Sequence, residues 1–209
     1  SNTFDSKLAY VGLDHDMGKL SVGRQSHPFA DNIGGKTSIF NVYGGSSDWN
    51  YASRSSNSMK FSTTQSGLTL DSIGIVDGSS ANTNAFDEFE VTISTKLFGS
   101  DVSVGYADDV NSDISYWGVA GSTDLGPLTM SSSYTIYDAA TDKYGLELTA
   151  SYSIFSVGYG DKEGTGVSYT AGASHNLNDS LSVYAEGEMK DLDSGSDTTS
   201  WSIGSKFTF

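Results

Sequence analysis

Cysteine is absent from the 209 residues, so the chain has neither a disulfide framework nor a thiolate metal site. Only two prolines occur. No apolar run in the sequence approaches the ~18 residues that a membrane-crossing helix requires. Cations are scarce: 11 Lys and Arg stand against 26 Asp and Glu, for a net charge of −15. That balance argues against a nucleic-acid surface and against binding to anionic lipid. It fits solvated acidic loops that repel one another, and equally an acidic vestibule that draws in small cations. The chain does not begin with Met and shows no signal peptide, so the expectation is a mature or truncated product.

What is present in abundance is glycine, with 24 residues, and aromatics, with 12 Tyr and 10 Phe. Helical periodicity is hard to find, whereas period-two alternation recurs along the chain. The cleanest example sets Phe89, Val91, Ile93 and Leu97 against Glu88, Glu90, Ser94 and Lys96. Another sets Tyr144, Leu146, Leu148 and Tyr152 against Glu147, Thr149 and Ser151. Alternation over about 6–13 puts Leu8 and Tyr10 on one face and Lys7, Ala9 and Val11 on the other. After Ser72 the parity flips to Ile73 and Ile75, which predicts a bulge. The pattern gives roughly thirteen strands of about 8–11 residues in one all-β domain, 1–209. Tight turns near 14–18, 65–67, 98–101, 124–126, 154–156 and 176–180 alternate with longer polar loops at 26–56, 77–86, 108–112, 138–142, 161–165 and 191–197. Short connections at one end and long ones at the other mark a transmembrane antiparallel β-barrel.

Alternation alone leaves open which face is wet. In a soluble barrel the apolar set points inward, and in a membrane barrel it points to lipid. Tyr10, Phe61, Phe89, Tyr106, Tyr134, Tyr152, Tyr159, Trp201 and Phe207 fall near strand ends, as at the two interfaces of a bilayer. The charged set includes Lys60, Glu90, Glu147, Glu186, Glu188 and Lys206. In a small dry core such groups would cost several kcal/mol each unless paired, and on a water-filled wall they cost little.

Several segments also look like a family. Lys7-Leu8-Ala9-Tyr10-Val11-Gly12-Leu13, followed by Gly18-Lys19-Leu20-Ser21-Val22-Gly23-Arg24-Gln25, resembles the strand pair before the constriction loop of trimeric general porins of Gram-negative bacteria. Tyr43-Gly44-Gly45 resembles the Phe-Gly-Gly near the tip of that loop, and Arg54-Ser55-Ser56-Asn57-Ser58 the strand that follows it. Phe209, with Trp201 and Phe207 before it, resembles the C-terminal signal read by the outer-membrane assembly machinery. The resemblance implies a sixteen-strand barrel in which residues 6–13 match the fourth strand, so that the first three are missing here. A genuine barrel of about twelve or fourteen strands is the alternative. The resemblance further implies an outer-membrane location, a homotrimer among lipopolysaccharide, and segment 26–56 folded inward as a constriction. Lys7 matches a wall arginine of the family, and Lys60 lies near another. Val42 and Ser38 stand where loop acids are expected. On this reading the constriction is formed by Lys7, Lys19, Arg24, Arg54 and Lys60 on the wall, with Asp31 and Asp48 on the loop.

Enzyme chemistry finds no support in these residues. His15, His27 and His175 sit in or beside turns and loops, and no nucleophile elbow accompanies them. No cofactor is expected. Asp108, Asp109 and Asp113, or Asp191, Asp193 and Asp197, offer oxygen ligands for a loop-bound calcium, though neither group matches an EF-hand. The expected function is passive diffusion of small hydrophilic solutes and ions. The alternatives are an oligosaccharide channel with a path over Tyr43, Trp49 and Tyr51, a non-transporting barrel serving as adhesin or anchor, and a soluble acidic β-protein.

Overall fold

The computed structural model describes residues 7–45, 47, 53–76, 86–110, 112–138 and 140–208. Among the described residues, thirteen strands form one sheet whose order follows the chain. They are β1 (Ala9–His15), β2 (Gly18–Ser26), β3 (Arg54–Gln65), β4 (Leu68–Ile75), β5 (Glu88–Leu97), β6 (Ser100–Asp109), β7 (Ile114–Leu125), β8 (Leu128–Asp138), β9 (Lys143–Tyr152), β10 (Phe155–Lys162), β11 (Gly166–Asn176), β12 (Leu181–Leu192) and β13 (Thr198–Phe207). Every neighbouring pair is antiparallel. Between β2 and β3 lie a short helix, α1 (Pro28–Asn32), and a 3-10 turn, Gly34–Lys36. Among the described residues no helix is long and apolar enough to cross a membrane.

One end of the sheet carries the tight connections. Ser66-Gly67 and Phe98-Gly99 both have positive φ, which gives hairpin turns whose twist matches the strands they join. The other end carries the long connections, including the one from Ser26 to Arg54.

The register fixes the faces. Val91 pairs with Tyr106, Tyr106 with Trp117, and Val119 with Tyr134, all on one side. Glu90 pairs with Ala107, and Ser133 with Glu147, on the other. The first side is open, with Leu148 44%, Ile203 75% and Trp201 77% exposed. The second holds buried polar groups, among them Thr92, Ser103, Ser133, Thr135 and Glu147. Fully burying one large aliphatic side chain is worth about 1.5–3 kcal/mol, so an exposed array of this size needs an apolar solvent around it. The charged set therefore looks inward and the apolar set outward.

Two expectations need correction. The β3–β4 ladder runs from Ser58–Ile75 to Gln65–Leu68 without a register shift, so Ser72 starts no bulge. Ile73 and Ile75 point inward and are buried, because the base of the long loop covers them. The irregularity lies instead in the β2–β3 ladder, where Arg24 between Gly23 and Gln25 faces two residues of β3, Ser56 and Asn57. Tyr10 also changes sides. It pairs with Gly23 on the inward face, and the Lys19 ammonium lies 5.9 Å from its ring centroid.

Candidate functional site

The connection after β2 folds into the concavity of the sheet. Its first anchor is apolar. Phe29 and Ile33 pack with Ala107, Tyr116 and Ala120 from the inward faces of β6 and β7, making a small dry core inside the curl. Pro28 opens α1, where its missing N–H leaves no donor wasted. Contacts from one loop to strands as far apart as β4 and β12 require the sheet to wrap around it.

The remaining anchors are carboxylates of the wall. Glu90 accepts from the Phe29 amide at 3.0 Å and bonds His27 Nδ1 at 2.6 Å, both His27 and Glu90 being buried. His27 Nε2 lies 2.9 Å from Ser55 Oγ. Glu147 accepts from Thr37 Oγ1 and from the Ser47 amide, each at 2.9 Å. Glu186 accepts from the Asn41 amide at 2.7 Å, from Asn41 Nδ2 at 2.9 Å and from the Val42 amide at 2.9 Å. Glu188 accepts from the Gly44 amide at 3.4 Å and pairs with Lys190 at 3.1 Å. These four carboxylates are only 1–7% exposed, and burial would be prohibitive without the donors they receive. The alternation pattern identifies them as inward wall residues but carries no signal of their role in holding the loop.

Away from these anchors, an open recess lies against the inward side of β1–β4. Lys19 and Lys60 line a recess of about 220 Å³ together with Tyr10, Ser21, Gln25 and Asp71. Lys60 Nζ donates to the Ser26 carbonyl at 3.2 Å and lies 3.8 Å from Asp31. Asp31 is half exposed and also accepts from Ser26 Oγ at 2.6 Å. Asp71 is tied to the loop through Asn32 Nδ2 at 3.1 Å. Ile39, Asn41 and Val42 are exposed on the loop.

Of the expected constriction residues, the structure thus gathers Lys19, Lys60 and Asp31. Lys7 lies in a bend before β1, outside the β1–β2 ladder. Arg24 pairs with Ala9 and follows Leu20 and Val22 in parity, and its guanidinium donates to Ser56 at 3.1 Å. It falls on the outward side. Arg54 opens β3 opposite Ser26, where the loop returns to the wall. Trp201 and Phe207 lie outward on β13. Asp48, Trp49, Tyr51 and Phe209 lie outside the described residues. Asp108 and Asp109 take opposite faces of β6, and among the described residues no three His, Asp or Glu side chains gather to hold a metal ion.

No match was found among curated proteins. Solved structures match at high coverage and low identity, which speaks for the fold alone. OmpF of Salmonella typhi, in complex with daunomycin, aligns with a TM-score of 0.77 at 15% identity, covering 96% of this chain and 77% of that one. A loop L8 deletion mutant of OmpT, an outer membrane protein of Vibrio cholerae, gives 0.75 at 16% identity, with 95% and 78% covered. The trimer form of Vibrio cholerae OmpT gives 0.70 at 15%, with 92% and 72% covered. The family model for Gram-negative porins matches residues 1–195. The chain belongs to the Gram-negative porin family, as a β-barrel protein of the bacterial outer membrane.

Proposed function

We propose that this protein is a passive diffusion channel for small hydrophilic solutes and ions, with the segment after β2 as its constriction. The observation that carries the reading is the docking of that segment inside the sheet, held by Glu90, Glu147 and Glu186. Such a loop narrows a water-filled bore without sealing it, and the side chains left facing the space replace part of a solute's hydration. Lys19 and Lys60 on the wall and Asp31 on the loop supply the local field. The mechanism has no bond-making step. Reconstitution into planar bilayers should give stepwise, ohmic conductance. Insertion without current, in protein shown to be folded, would make the barrel an anchor and end the proposal.

We further propose that the protein works as a homotrimer in the lipopolysaccharide-bearing membrane, with the outward face of β1–β4 turned to its copies. Outward aromatics form a continuous series from Phe89 on β5 through Tyr106, Trp117, Tyr134, Tyr144 and Tyr159 to Tyr169 on β11. β1, β2 and β4 present none, β3 presents Phe61 alone, and β2 presents Arg24. A lipid-exposed face needs the aromatics and rejects the arginine.

A further inference from the structure

We propose that the width of the bore is set by side chains absent from the wall: inward glycines form sockets that decide how far the loop stands out into the passage. The inference rests on the channel reading above and names the residues that determine which solutes fit. Gly105, Gly118, Gly145, Gly158, Gly160 and Gly172 all lie inside strands, on the inward face. None of them has positive φ, so the backbone does not call for glycine at these positions. Glycine in an element interior is unfavourable by roughly 0.5–1 kcal/mol against alanine. Something else must favour it here, and each of these positions meets the loop.

Gly105 and Gly118 face each other across β6 and β7. A methyl group at Gly118 would lie 2.7 Å from the Phe29 ring and 2.8 Å from Ile33. At Gly105 it would lie 3.0 Å from the Phe29 ring. Further round, a methyl group at Gly158 would lie 2.9 Å from the Phe40 ring; at Gly172 it would be in ordinary contact with that ring at 3.4 Å and would first meet the side chain of the anchor Glu186 at 3.0 Å. Gly145 and Gly160 take Ser47: a methyl group at Gly145 would fall on the Ser47 carbonyl oxygen, and one at Gly160 on its hydroxyl. Glycine sockets thus accompany carboxylate anchors along the loop's course. The carboxylates hold the loop to the wall, and the glycines fix its stand-off. Phe40 and Ser47 act as positioning residues, since they face the wall rather than the solute.

Single-channel conductance in planar bilayers tests this, with liposome swelling in neutral sugars of increasing size as the second readout. Gly158→Ala and Gly145→Ala should lower conductance and exclude the larger sugars earlier. Gly145→Ala should do so more strongly, because a carbonyl cannot rotate away as a phenyl ring can. Phe40→Leu in the Gly158→Ala background should restore conductance towards the wild-type value. Gly121→Ala, on the outward face, should conduct as the wild type. Heat-modifiable gel mobility shows which variants are folded. Folded Gly158→Ala and Gly145→Ala channels that conduct like the wild type, or better, would overturn the proposal, as would a double variant without recovery. A wild-type protein that carries no current refutes the channel reading instead.

Discussion

Glu186 is a single carboxylate that holds the loop by three backbone amides and one side-chain amide. Hydrogen bonds to charged groups contribute about 1.5–3 kcal/mol, and a buried donor left unmade adds a penalty. Glu186→Gln would set an amide NH2 against N–H donors. The expected result is a loop that samples undocked positions, seen as open-channel current noise and as protease cleavage near Asn41. Quiet current and full protection would contradict it. At Lys60 the expectation concerns the field rather than the fold. Lys60→Ala removes a cation 3.8 Å from Asp31, so the reversal potential in a salt gradient should shift towards cation preference. Alternation in the sequence places Lys60, Glu147 and Glu186 correctly on the inward face. It does not reveal that Glu186 grips the loop, because the partners are mostly main-chain amides 143 to 145 residues away. Main-chain donors carry no residue identity, so no motif betrays them.

The strand is the scale at which sequence and structure agree most closely. β5 and β9 alternate without interruption, and the register sends each apolar residue outward. Leu148→Arg on β9 should therefore destabilise the barrel by about 2–4 kcal/mol if its position lies near the bilayer midplane, measured as the urea midpoint of folding into vesicles. Ser202→Lys, on the inward face of β13, should leave that midpoint nearly unchanged. A reversed order would put lipid on the wrong side. The pattern misleads on β4, where Ile73 and Ile75 face inward. The rule that a lumen is polar assumes water there, and on β4 the helix α1 packs against the inward face instead. Tyr10 misleads for a related reason: an aromatic near a strand end can serve a bilayer interface or a lysine, and only the register tells them apart.

For the molecule as a whole, the net charge of −15 is a poor guide to the passage. Glu90, Glu147, Glu186 and Glu188 lie behind the loop, and Lys19 and Lys60 line the recess beside it. Assembly is addressed by Arg24. On the proposed trimer, Arg24→Glu should reduce the oligomer that survives on unboiled gels while leaving the folded monomer intact; an unchanged oligomer would remove that face from the interface. One further consequence follows from how far the loop reaches. Asn41 cannot find Glu186 until β12 has been laid down, late in the chain. On the proposed function, the constriction is then the last part of the channel to be installed, and an unfinished copy would enclose a wider, unguarded hole. On that reading, a cell that let such copies into its envelope would leak molecules the finished protein turns away, so impermeability to large solutes would depend on completing each copy before it is released.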